Sequence, residues 1–254
     1  MYRISQLLIA PVLFLLIISP VFAAIEGVKT ADEHYLMGNA LYSFGQPGNA
    51  TEEYRMAVQL NPDYPEAWNN LGIALTRLER HEEALSALEN ATRTNPSDPE
   101  AWYNKGYSLG KLGRYKEEAD AYQEAVRIRP NMTRAWRNIG VGAFEQGNLS
   151  LASAAFEKVT QYDPSSDSGW YYLGIIYEMA GNLTGAQVAL KEAIALNPNL
   201  TMAKDRLGGV ERNMSVGINQ TGASLPADKK RTPLPFGVIV IALICATIIS
   251  REWK

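Results

Sequence analysis

The chain has 254 residues, a formal net charge of −3 and 20% charged residues. That balance offers no basic stripe of the kind a nucleic-acid partner requires. The single cysteine, Cys245, excludes an intramolecular disulfide, so stability has to come from packing.

Leu7 to Ile18 form an almost unbroken apolar run, preceded by Arg3 and followed by Ser19-Pro20 and the small-residue pattern Val21-Phe22-Ala23. This reads as a secretory signal sequence over residues 1–23, cleaved after Ala23 and exporting the rest of the chain; an uncleaved helical anchor is the alternative.

The middle of the chain aligns with itself at a shift of 34, without a gap, as units 31–64, 65–98, 99–132, 133–166 and 167–200. The fourth place holds Trp68, Trp102, Trp136 and Trp170, with His34 in the first unit. Gly38, Gly72, Gly106, Gly140 and Gly174 hold the eighth, and Pro62, Pro96, Pro130, Pro164 and Pro198 the thirty-second. In the second unit Trp68, Leu71, Gly72 and Leu75 make one helical stripe, and Ala84, Leu88 and Ala91 make another. Asn95-Pro96 stops the second helix, because proline cannot continue it and pushes its predecessor out of the helical region. Each unit is therefore an antiparallel helix pair. Gly72 removes a side chain where the two helices approach, and stacking of neighbours builds the core.

These places resemble the tetratricopeptide repeat over about two-thirds of the chain. Ala50, Ala84, Ala152 and Ala186 match the small place of the second helix, and Ala57, Ala91, Ala125 and Ala193 match seven places on. Glu118 and Val159 depart from alanine, and Lys105 stands where an apolar residue is usual. The resemblance implies an all-α fold: a right-handed superhelical solenoid of five helix-pair repeats. Residues 201–213 are expected to form a C-terminal capping helix. Residues 214–234, polar and unpatterned, read as a flexible stalk.

Residues 235–250, PFGVIVIALICATIIS, are apolar on every face and lie between Lys229-Lys230-Arg231 and Arg251. They read as a transmembrane helix or sorting segment. Gly222-Ala223-Ser224 with its spacer resembles a lipid-anchor replacement signal, and the Pro-containing motif, span and basic end resemble prokaryotic C-terminal sorting signals.

No catalytic constellation emerges. His34 and His81 fall at unrelated repeat places, and Cys245 lies in the apolar tail, so no metal-ligand spacing can be built. Glu82-Glu83 and Glu117-Glu118 begin second helices, where acids suit the helix dipole. No phosphate-binding loop, nucleophile elbow or zinc-protease motif occurs. The expectation is no enzyme, no cofactor and no small-molecule substrate.

The resemblance implies a concave groove for a peptide or protein partner, lined by Tyr35, Asn39, Tyr42, Asn69, Ile73, Arg77, Tyr103, Tyr107, Lys111, Arg137, Phe144, Tyr171 and Ile175. Tyr35, Tyr103 and Tyr171 fill a place where tyrosine is common in the family, so they also read as scaffold. A clamp for chaperone C-termini is broken: Asn39 and Asn70 match it, while Tyr35, Glu100 and Asn104 stand where cations are needed.

Eight N-x-S/T sequons begin at Asn49, Asn90, Asn131, Asn148, Asn182, Asn199, Asn213 and Asn219. Chance pairing gives roughly one or two, so they read as acceptors for glycan, or as Asn ending one helix and Ser or Thr starting the next. The function expected is a membrane-anchored, outward-facing interaction scaffold; the alternative is a cell-surface spacer without a groove ligand.

Overall fold

The computed structural model describes residues 29–220. The signal sequence expected over 1–23, residues 221–234 of the stalk and the membrane segment over 235–250 lie outside them. Among the described residues the fold is all-α, and no helix there is long and apolar enough to cross a membrane. The helices divide between two compact units, the first closing at Arg114 and the second beginning at Tyr115.

The first unit contains α1 (Ala31–Ser43), α2 (Pro47–Leu60), α3 (Pro65–Arg77), α4 (His81–Thr94) and α5 (Pro99–Lys111). Thr30 opens α1 with a capping box, its hydroxyl accepting from the Glu33 N–H while the Glu33 carboxylate accepts from the Thr30 N–H. Proline stands in the first turn of α2, α3 and α5, where its missing N–H costs nothing. The helix pairs enclose a core of Ala50, Tyr54, Ala57, Leu71, Leu75 and Leu88.

The second unit contains α6 (Tyr115–Ile128), α7 (Thr133–Glu145), α8 (Leu149–Tyr162), α9 (Asp167–Met179), α10 (Leu183–Leu196) and α11 (Thr201–Gln220). One cluster joins α7, α8, α9 and α10 through Ala143, Phe156, Val159, Leu173, Ile176 and Ala189. Another joins α9, α10 and α11 through Tyr171, Ile175, Leu190, Ala193, Ala203 and Val210.

The eighth-place glycine does what its spacing implies. A Cβ on Gly72 would lie 2.4 Å from Leu88 Cγ, and on Gly140 2.6 Å from Phe156 Cε2, so hydrogen alone fits between the paired helices. A second set of turn residues sits at the fifteenth place. Gly45, Gly113, Gly147 and Gly181 all have positive φ there, and Glu79 adopts φ 60° in the same turn without glycine's freedom.

The four fourth-place tryptophans hold the turns that precede their helices. They are half-buried, and each indole N–H donates to the carbonyl of the proline six residues earlier: Trp68 to Pro62 at 2.8 Å, Trp102 to Pro96 at 2.9 Å, Trp136 to Pro130 at 2.7 Å and Trp170 to Pro164 at 3.0 Å. Each Trp ties down the turn that delivers its own helix. His34, which has no such proline before it, pairs with Glu53 instead, Nδ1 to Oε2 at 2.6 Å.

The last helix also differs from the reading of 201–213. It continues to Gln220, seven residues into the expected stalk. No proline interrupts it, and Met214 packs against the α9–α11 core, so another turn gains apolar contact.

Candidate interaction surface

In the first unit the first helices of successive repeats present residues three or four apart, which places them on one face of each helix. On α1 these are Tyr35, Asn39 and Tyr42; on α3, Asn69, Ile73 and Arg77; on α5, Tyr103, Tyr107 and Lys111. A ladder of amides links the helices. Asn39 Oδ1 accepts from Tyr54 Oη and from Asn70 Nδ2, both at 2.8 Å, and Asn104 Nδ2 donates to Asn69 Oδ1 at 2.9 Å. Such bonds satisfy polar groups that a flat apolar face could not hold.

The ladder separates scaffold from available surface. The Tyr35 ring packs against Tyr64 at 5.0 Å and Tyr54 at 6.2 Å, as a wall of the core. Burial, with Tyr35 alongside, pushes the Tyr54 hydroxyl up to about 12. Tyr107, by contrast, is 40% exposed, with Lys111 Nζ 5.3 Å from its ring, and Arg77 is exposed at the end of α3. Asp32, Glu66 and Glu100 occupy the opposite ends of these helices. The face thus runs from acidic first turns, across amides, to the basic last turns of α3 and α5. The helix dipole favours that order, and it gives the surface a polarity that an extended chain could read.

The second unit treats the same repeat places differently. Tyr171 and Ile175 are 9% and 3% exposed and belong to the core under α11. The expectation that they line a groove is corrected: α11 lays Ala203, Leu207 and Val210 over this part of the fold. Arg206 fastens that cover, donating to Glu178 Oε2 at 2.8 Å. Phe144 is half-buried against both clusters of this unit, and Arg137 is half-buried on α7. Exposed contact residues are therefore concentrated on α3 and α5.

Two further features lie away from this face. A groove of about 510 Å³ lies between α8, α9 and α10, bounded by Glu157, Trp170, Leu173, Tyr177 and Val188. The Tyr177 hydroxyl donates to Glu157 Oε1 there at 2.8 Å. Apart from the fourth-place Trp170, these residues belong to none of the recurring Trp, Gly, Ala or Pro columns, so periodicity does not mark the groove. The other feature is Glu118, which stands where the other four units have a fully buried alanine. Burial, reinforced by the Glu145 charge, pushes its carboxyl up to about 7. Both Glu117 and Glu118 stand in the first turn of α6, as their sequence places imply, and burial sets Glu118 apart. Lys105, the other polar intruder, is accommodated with Nζ 5.2 Å from the Trp102 ring centre.

A family model described as tetratricopeptide repeat matches residues 77–133 and 137–200, and one described as TPR repeat matches residues 38–78. An uncharacterized protein of Methanocaldococcus jannaschii is 39% identical over 59 residues, which are 23% of this chain and 69% of that one. Among solved structures, YrrB, a TPR protein with an unusual peptide-binding site, superposes with a TM-score of 0.62 at 26% identity, covering 73% of this chain and 96% of its own. MamA superposes with a TM-score of 0.61 at 17% identity, over 78% of this chain and 98% of its own. A tetratricopeptide repeat protein from Parabacteroides merdae gives a TM-score of 0.61 at 18% identity, over 78% and 81%. The last two likenesses concern the fold alone.

Proposed function

The chain belongs to the tetratricopeptide repeat family, and from that premise we propose that it is an extracytoplasmic scaffold, held at a membrane by residues 235–250, that binds a peptide or protein along the first helices of its repeats. Proteins of this family are in general non-enzymatic scaffolds that bind protein or peptide partners. The observation that carries the reading is the face of α1, α3 and α5. Its amides are bonded into a fixed ladder, while Arg77, Tyr107 and Lys111 stand exposed beside it. An exposed aromatic and two cations next to a rigid polar strip supply anchors and backbone-matching groups for an extended ligand. The peptide-binding site of YrrB supports the choice of ligand class.

Outward placement rests on the export signal read in residues 1–23, and attachment rests on the apolar tail. The test combines topology and capture. Protease treatment of intact cells is expected to release peptides from residues 31–213. Affinity capture by the full chain is expected to retrieve a partner that the triple variant Arg77→Ala, Tyr107→Ala, Lys111→Ala does not. Repeats protected until the cells are lysed would defeat the outward placement. A partner retained by the triple variant would defeat this face.

A further inference from the structure

Half of the sixteen asparagines begin a sequon, and the fold divides those sequons by what their side chains already do. At Asn49 and Asn90 the sequon threonine serves the helix. Thr51 is 0% exposed and its hydroxyl donates to the Pro47 carbonyl at 2.8 Å; Thr92 is 5% exposed and donates to the Leu88 carbonyl at 3.0 Å. The asparagines are engaged as well, with Asn90 Nδ2 donating to the Ser86 carbonyl at 3.0 Å and Asn49 Nδ2 to Gln46 Oε1 at 2.9 Å. These two sequons are accounted for by helix packing.

Four sequons in the second unit have no such account. Asn131 and Asn199 lie in the turns before α7 and α11, and Asn148 and Asn182 cap α8 and α10. All four asparagines are exposed, as are Ser150, Thr184 and Thr201; Thr133 is half-buried. None of these four hydroxyls makes a hydrogen bond to a described residue. The caps use only the oxygen of the amide: Asn148 Oδ1 accepts from Leu151 N at 3.1 Å and Asn182 Oδ1 from Gly185 N at 2.9 Å. Nδ2, the atom that would carry a glycan, is left over. At Asn182 the nearby glycine keeps room for it, since a Cβ on Gly185 would lie 2.6 Å from Nδ2.

We propose that Asn131, Asn148, Asn182 and Asn199 are N-glycosylated in this protein and that Asn49 and Asn90 are not. The inference rests on the outward placement proposed above, because the transferase and its donor must meet the chain on the exporting side. The donor is a lipid-phosphate-activated oligosaccharide. Its C1–O bond to the phosphate breaks as the Nδ2–C1 bond forms, the lipid phosphate leaves with the bonding pair, and the proton lost from Nδ2 passes to the departing phosphate or to solvent. No redox change occurs. Each glycan would project from a helix end, at the turns within and between repeats.

Peptide mapping by mass spectrometry of the full chain, purified from the membranes of its own cells, tests this. Peptides carrying Asn131, Asn148, Asn182 and Asn199 are expected to gain a glycan mass, and those carrying Asn49 and Asn90 to run at their unmodified mass. The variant Asn131→Gln, Asn148→Gln, Asn182→Gln, Asn199→Gln is expected to lose that increment while keeping its helical circular-dichroism signal. Protein that intact-cell proteolysis places outside, yet unmodified at all four, overturns the glycan sites and leaves the outward placement standing. Protein retained inside the cell overturns both. Modification of Asn90 to the same extent as the four defeats selection by folded-state accessibility.

Discussion

Glu118 carries the clearest residue-scale consequence. Its carboxyl pKa, raised to about 7 from an ordinary 4.5, means that the folded chain holds this proton more tightly than the unfolded one. The stabilising contribution is complete below about 4.5 and is lost as pH rises through about 7. Thermal unfolding followed between about pH 5 and pH 8 is therefore expected to show stability falling with pH. Glu118→Gln is expected to flatten that slope and to gain about 1 to 2 kcal/mol at the upper end, allowing for the solvent that still screens the group. An unchanged slope would show that the Glu118 environment is not what the fold implies. The sequence marks Glu118 as a break in an alanine column, but the acid could equally be read as a helix-dipole partner. Only its depth, and Glu145 beside it, decide. The fifteenth-place turn was obscured in a similar way: four glycines share it, and Glu79 interrupts the column while keeping the positive φ.

At the scale of elements, helix number, pairing and stops were legible because proline and glycine punctuate every unit at fixed places. The end of α11 was not. A polar composition after Asn213 suggests a stalk, but Met214 finds apolar contact and nothing in Thr201–Gln220 breaks the helix. The misreading of Tyr171 and Ile175 has the same root, since their repeat places line a groove only where no helix lies across them. Val210 is 0% exposed in the cluster that buries both. Val210→Asp is expected to destabilise the second unit by about 3 to 5 kcal/mol, the cost of an unpaired buried carboxylate. Met202→Asp, at a 43% exposed site on the same helix, is expected to stay within about 0.5 kcal/mol. Equal effects of the two substitutions in chemical denaturation would contradict the capping role of α11.

For the whole molecule, a repeat array is stabilised through neighbour contacts, so its inner side chains are free to specialise without threatening the fold. That freedom is visible in the contrast between the two units, one showing an amide ladder with exposed Tyr107, Lys111 and Arg77, the other burying Tyr171 and Ile175 in its core. The period revealed the array and the candidate face together, but not which residues on that face packing had already claimed. The decisive measurement is site-specific photocrosslinking in living cells, with a photoreactive phenylalanine derivative placed at position 107 and, in a second strain, at position 56, where Met56 is 44% exposed on a second helix. A discrete crosslinked partner from position 107 and none from position 56 is the expected result. No product from position 107, or the same products from both positions, would contradict the scaffold reading and leave a spacer in its place.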